Sequence, residues 1–185
     1  MIKTVTVFCG SRSGHDPKWE AIATACGREL VRRDMRLVFG GGCNGLMGAI
    51  AKSVIDAKGQ STGIIPESLL AFEPAQEGLT ELFVVDSMHT RKLLMSERAD
   101  AFLVLPGGIG TFEEFFETWT WHQIGLHQKP IVLLNAFDYY TPLLDFLKKG
   151  MDAGFIHAKH HCYVRVATTV ADAFDLLTTP CDDMA

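Results

Sequence analysis

The stretch "AFLVLPGGIGTFEE", residues 101–114, decides how the chain folds. Five apolar residues run without a polar break, a proline and a glycine-rich turn stop them, and a segment of helical period follows. That order reads as a buried strand, a tight loop and the opening of a helix. It recurs earlier, where "TVTVF" (4–8) leads into "CGSRSG" and "RLVF" (36–39) leads into "GGGCNGLMG". Further strand candidates are "STGII" (61–65), "ELFVV" (81–85), "PIVLL" (130–134) and "CYVRV" (162–166), with the run 101–105 between them. Helical periods fall near 17–33, 45–58, 88–99, 111–124, 141–153 and 170–177. Strands alternating with helices in this way build parallel βαβ units, and the continuously apolar strands require helices on both faces of the sheet.

With 185 residues, nearly half of them apolar, and no linker or internal repeat, the chain fits one unit spanning 1–185. A net charge of −5 argues against sequence-independent binding to nucleic acid or docking on anionic lipid. A small-molecule partner is the better expectation. The start, "MIKTVTVFCG", is a strand entering a glycine turn rather than a signal peptide, and no apolar run approaches the roughly 20 residues of a membrane span. Five scattered cysteines (Cys9, Cys26, Cys43, Cys162, Cys181) form no CxxC pair, so neither a disulfide framework nor a zinc site is indicated and a cytoplasmic location suits the chain.

In an open parallel sheet, ligands bind beyond the carboxyl ends of the strands. Three strands end in glycine, so their loops are expected to converge on one binding site. Gly40, Gly42 and Gly45 match GxGxxG after a strand and before a helix, the setting in which backbone amides hold a phosphate, and Glu67 lies where a ribose-binding acid would stand. The plainer alternative is that these glycines only permit tight turns. The Walker pattern fails, because Leu46 and Met47 occupy the positions of its Lys and Ser/Thr.

Gly107-Gly108-Ile109-Gly110-Thr111 is a second candidate anion loop. Behind it, Thr111 and Glu114 have the spacing of a capping box, which alone would account for the glutamate. Ser87 is a plausible N-cap for "MHTRKLLMSERA", and that start puts Arg91 and Lys92 near the positive end of the helix dipole. Cations placed there point to an anionic ligand shared with the loops, the plainer alternative being two solvated basic residues on a surface helix. A phosphate on the glycines and a ribose on Glu114 would reconcile the anion loop with the acid beside it, since a carboxylate accepts from sugar hydroxyls and stabilises an oxocarbenium ion.

"SMHTRK" followed by "LPGGIGTFEE" closely resembles the LOG ("Lonely Guy") family of cytokinin riboside 5′-monophosphate phosphoribohydrolases, whose signature is PGGxGTxxE. "CGS", "FGGGCNGLMG", "GIIPESL" and "KPIVLLN" extend the resemblance over most of the chain, while Cys43 and "AFEPAQEGL" depart from it. The resemblance implies a Rossmann-like three-layer αβα sandwich with a mainly parallel sheet, usually a homodimer, acting without a cofactor on nucleoside 5′-monophosphates. It makes Arg91 and Glu114 the catalytic pair. It places Lys92, Gly107, Gly108, Ile109, Gly110, Thr111, Phe112 and Glu113 on the nucleotide, with Glu73, Thr120, Gly10, Ser11, Gly41 and Gly42 as further substrate contacts. Lys92 is expected to hold the 5′-phosphate with the glycine loops. Glu114 would serve as nucleophile, base or electrostatic stabiliser, three roles that the sequence leaves open.

Three rival functions follow from the same residues. Molybdenum-cofactor carriers share the fold and the glycine motifs but need no glutamate at position 114. A lysine decarboxylase needs a lysine Schiff base with pyridoxal phosphate, for which Lys92 is the tempting residue. An NAD-dependent oxidoreductase would rest on Gly40, Gly42 and Gly45. The aromatic set Phe112, Phe115, Phe116 and Trp119 shares one helical face and reads as core, with Trp121 available to a partner subunit. His89 is assigned no chemistry, and His160 and His161 read as surface residues.

Overall fold

The computed structural model describes residues 2–157, 159 and 163–179. Strands and helices alternate as β1 (Thr4–Phe8), α1 (Lys18–Arg32), β2 (Arg36–Phe39), α2 (Gly45–Asp56), β3 (Ser61–Pro66), β4 (Glu81–Val85), α3 (Met88–Arg98), β5 (Ala101–Val104), α4 (Ile109–Gln123), β6 (Ile131–Leu134), α5 (Thr141–Asp152), β7 (Val164–Ala167) and α6 (Val170–Thr178). Short 3₁₀ turns at Glu67–Leu69 and Ala136–Asp138 follow β3 and β6. Cys162, His160 and His161 lie outside the described residues, so β7 is seen from Val164.

All strands join one parallel sheet in the order β4-β3-β2-β1-β5-β6-β7. The chain winds outward from β1 through β4 and then returns to place β5 on the other side of β1. The strand order therefore reverses between β1 and β5, and a crevice opens there between the two loops that leave them.

Each face of the sheet carries its own core. Leu30 of α1, Ile50 and Val54 of α2 and Phe174 of α6 pack on one face with Val7, Leu37 and Leu103. Met95 of α3, Phe115 and Trp119 of α4 and Leu147 of α5 pack on the other with Phe8, Phe102 and Val104. Successive residues of β5 thus point into different cores, and both neighbours are fully buried, which is why the strand has no polar alternation. At about 1.5–3 kcal/mol for each fully buried large side chain, these two layers hold the sheet rigid beneath its loops. The edge strand β4 is covered on one face only, with Leu82 and Val84 exposed on the other.

α4 starts at Ile109, two residues before the expected Thr111, with Gly108 as an N-cap that offers no side chain. Packing overrides the local capping signal: Thr111 is buried against Gly107, where an added Cβ would meet its side chain. Glu114 therefore stands well inside the helix and is not reaching back as a cap. By contrast, Ser87 caps α3 as expected, its hydroxyl accepting from the Thr90 amide at 3.1 Å.

Candidate active site

A cavity of about 660 Å³ occupies the crevice between β1 and β5. One wall is the β1–α1 loop from Gly10 to Gly14, and the facing wall is the β5–α4 loop from Pro106 to Thr111. The two walls are tied together by the Gly10 amide donating to the Pro106 carbonyl at 3.1 Å. Of the expected residues, Gly10, Ser11, Glu73, Arg91, Gly107, Gly108, Ile109, Gly110, Thr111, Glu113 and Glu114 line it.

The open end of α4 is the cavity's anion-binding feature. Gly108, Ile109 and Gly110 are exposed, and nothing crowds the two glycines, so the unpaired amides of the first turn are accessible to a ligand. Tyr139 fixes this loop from outside by donating its hydroxyl to the Gly107 carbonyl. Tyr139 in turn meets Trp19 edge to face, and both rings line the cavity.

Arg91 and Glu114 face the same cavity from α3 and α4. Arg91 is buried; it donates to the Gly40 carbonyl at 3.0 Å and leaves its Nε without a partner. Burial lifts the Glu114 carboxyl from its usual 4.5 to about 7, against the pull of Arg91, with Glu113 and Glu117 pushing upward and Lys92 downward. Glu114 thus exchanges its proton near neutrality. Glu73 lines the cavity too and has a buried carboxylate oxygen with no hydrogen-bond partner. Cys9 lies on the floor, but burial and the charge of Glu114 push its thiol well above the usual range, so it stays protonated.

Several expectations need correction. Lys92 does not line the cavity: its ammonium donates to Glu113 at 2.5 Å and to Glu117 at 2.9 Å. Burial opposes its charge, yet the two carboxylates outweigh that and raise it above an ordinary lysine. In this arrangement Lys92 is a brace between α3 and α4. Gly41 and Gly42 do not line the cavity either. The loop they belong to pairs with the chain beyond β3, through Gln76 donating to the Gly41 carbonyl at 2.8 Å and Cys43 donating to that of Pro74 at 3.0 Å.

The helix behind that loop is occupied as well. The Leu46 and Met47 amides donate to the Gly10 carbonyl at 3.0 and 3.3 Å. The GxGxxG-like loop therefore grips the β1–α1 loop rather than a dinucleotide, and Gly45 is needed because its φ of +57° is left-handed and the Ser11–Arg12 backbone lies where a Cβ would project. Glu67 is exposed in its 3₁₀ turn, away from the cavity. Phe112 packs edge to face on Tyr140 in the core, and Thr120 donates to the Phe116 carbonyl at 2.7 Å near the far end of α4; neither lines the cavity. Cavity residues that the sequence did not point to include Arg12, Trp19, Met47, Met88 and Tyr139.

A parallel sheet with a ligand cavity at its switch point, glycine loops on both walls and a carboxyl titrating near neutrality defines a Rossmann-like α/β protein built for a small ligand. The family model described as "Possible lysine decarboxylase" matches residues 47–177. A cytokinin riboside 5′-monophosphate phosphoribohydrolase from Rhodococcoides fascians is 47% identical over 179 residues, which cover 96% of this chain and 90% of that protein. A probable enzyme of the same name from Oryza sativa subsp. japonica is 48% identical over 85% of this chain and 68% of its own length. One from Arabidopsis thaliana is 46% identical over 83% of this chain and 71% of its own length. The chain belongs to the LOG family of phosphoribohydrolases.

Among solved structures, the molybdenum cofactor binding protein of Rippkaea orientalis superposes with a TM-score of 0.71 at 19% identity, covering 96% of each chain. The molybdenum cofactor carrier protein of Chlamydomonas reinhardtii does so with 0.70 at 19% identity, over 97% of this chain and all of that one. At such identity these likenesses establish the fold.

Proposed function

We propose that the protein hydrolyses the N-glycosidic bond of an adenosine 5′-monophosphate, plain or N6-modified, releasing the free base and ribose 5-phosphate. The observation that carries this is the placement of Glu114 and Arg91 on one cavity with the open N-terminus of α4. The phosphate sits on the α4 amides, where the helix dipole favours it. The ribose lies against Glu114, whose ionised form accepts its hydroxyls and stabilises the cationic sugar as the bond to the base breaks. Water adds its oxygen to the anomeric carbon and its proton ends on the departing base. A carboxyl titrating near 7 also suits a base that takes a proton from that water. Arg91, anchored by Gly40, favours the ionised form of Glu114 against its burial.

The reading treats residues 1–185 as one LOG-type unit acting in the cytoplasm as a homodimer. Two features support it: among the described residues no helix is long and apolar enough to cross a membrane, and exposed Met88 and Ile109 lie at the cavity where a partner would cover them. Decarboxylation of lysine has no comparable support, because no lysine lines the cavity among the described residues and Lys92 is held by two carboxylates.

Liquid chromatography of base released from AMP, isopentenyladenosine 5′-monophosphate and adenosine tests the reading. Release from the two monophosphates and not from adenosine is expected. No release from either monophosphate would contradict it.

A further inference from the structure

Lys92 is paired with Glu113 and Glu117 and does not line the cavity, which turns attention to the cations that do. Its lining carries three carboxylates, Glu73, Glu113 and Glu114, against two guanidiniums, Arg91 and Arg12. Lys92 neutralises Glu113 from outside, and Arg91 is buried on the Gly40 carbonyl. Arg12 is different. It is exposed, lines the cavity, and its side chain has no hydrogen bond or ion pair among the described residues.

Its backbone is held firmly all the same. The Gly10 carbonyl caps the N-terminus of α2, the Gly10 amide is tied to Pro106, and the Ser11–Arg12 peptide packs directly on Gly45. Arg12 stands two positions beyond that tie to the β5–α4 loop and lines the same cavity as Gly108, Ile109 and Gly110 at the open end of α4. A fixed root with a free charged head is the form of a ligand clamp, since little backbone entropy is lost when the head closes.

We propose that Arg12 is the phosphate anchor: it closes on the 5′-phosphate seated at the N-terminus of α4 and makes the site select monophosphates over nucleosides. The proposal rests on the phosphoribohydrolase reading and adds to it a specificity-determining residue outside the PGGxGTxxE and MHxRK motifs. A guanidinium clamps a phosphate by paired, charge-assisted hydrogen bonds, which a lysine reproduces only in part.

Steady-state kinetics on AMP and adenosine, with wild type, Arg12→Ala and Arg12→Lys, provide the test. Arg12→Ala is expected to raise KM for AMP by about 10- to 100-fold with kcat within about threefold. Any slow turnover of adenosine should be unchanged, and Arg12→Lys should recover part of the loss. An unchanged KM, or a fall in kcat at constant KM, would overturn the assignment. A calorimetric titration with ribose 5-phosphate separates this inference from the reading beneath it. If wild type turns over no monophosphate, the hydrolase reading fails, while weaker binding of ribose 5-phosphate by Arg12→Ala still supports the anchor and equal binding overturns it.

Discussion

Replacing Glu114 with Gln has two consequences that point in opposite directions, and the second can be sized from the structure. Activity falls by orders of magnitude, because the amide keeps the shape and loses the charge that the sugar cation needs. Stability at neutral and alkaline pH rises. The folded carboxyl titrates near 7 and the unfolded one near 4.5, so between those values the native state binds more protons than the unfolded state. Stability contributed by the neutral carboxyl is complete below pH 4.5, declines as pH rises, and is lost above 7. At 1.36 kcal/mol per pH unit the full interval amounts to about 3 kcal/mol, reduced to about 2 kcal/mol because the cavity admits water to the carboxyl. For a chain of this size that is a Tm difference of roughly 4–8 °C. Urea unfolding of wild type and Glu114→Gln across pH 4.5–8.5 reads the effect directly. The two should agree at pH 4.5 and separate through pH 7, the variant being the more stable. Parallel curves would refute the buried, near-neutral carboxyl.

Other changes probe the supporting residues. Lys92→Met leaves Glu113 and Glu117 without their cation, so the acid limb of the kcat profile should move to higher pH as Glu114 becomes harder to ionise. An unmoved limb would mean that Lys92 has no influence on Glu114. Gly45→Ala forces a left-handed residue into the Ser11–Arg12 backbone and should cost about 2–4 kcal/mol in a denaturant titration, with activity lost alongside. Tyr139→Phe removes the hydroxyl that holds the Gly107 carbonyl, costing about 1 kcal/mol and raising KM for a monophosphate several-fold. Wild-type KM in that variant would show that the loop holds its shape unaided.

The strands were legible because burial on both faces leaves an uninterrupted apolar run, and β1, β2 and β4 begin and end where the sequence placed them. The switch-point cavity was legible as well, since glycine ends both of the strands that flank it. What local sequence does not carry is who occupies a helix terminus. The amides behind Gly45 have the same spacing whether they meet a phosphate or the carbonyl of Gly10, which lies 35 residues earlier in the chain. The ion pairs of Lys92 are hidden for a related reason: its partners Glu113 and Glu117 come from another helix, and only the packing of α3 beside α4 brings them together. Thr111 carried a sound capping signal, yet the close approach of Gly107 drew it into the interior. Arg12 and Tyr139 belong to loops, and no periodicity or motif marks a loop residue that turns toward a cavity.

The measurement that bears most directly on the central claim is the product balance of the reaction with AMP, resolved by anion-exchange chromatography. Adenine and ribose 5-phosphate should appear in equal amounts with wild type, and neither should appear with Glu114→Gln. Adenosine with free phosphate, or no product at all, would contradict the assignment of this cavity to N-glycosidic hydrolysis.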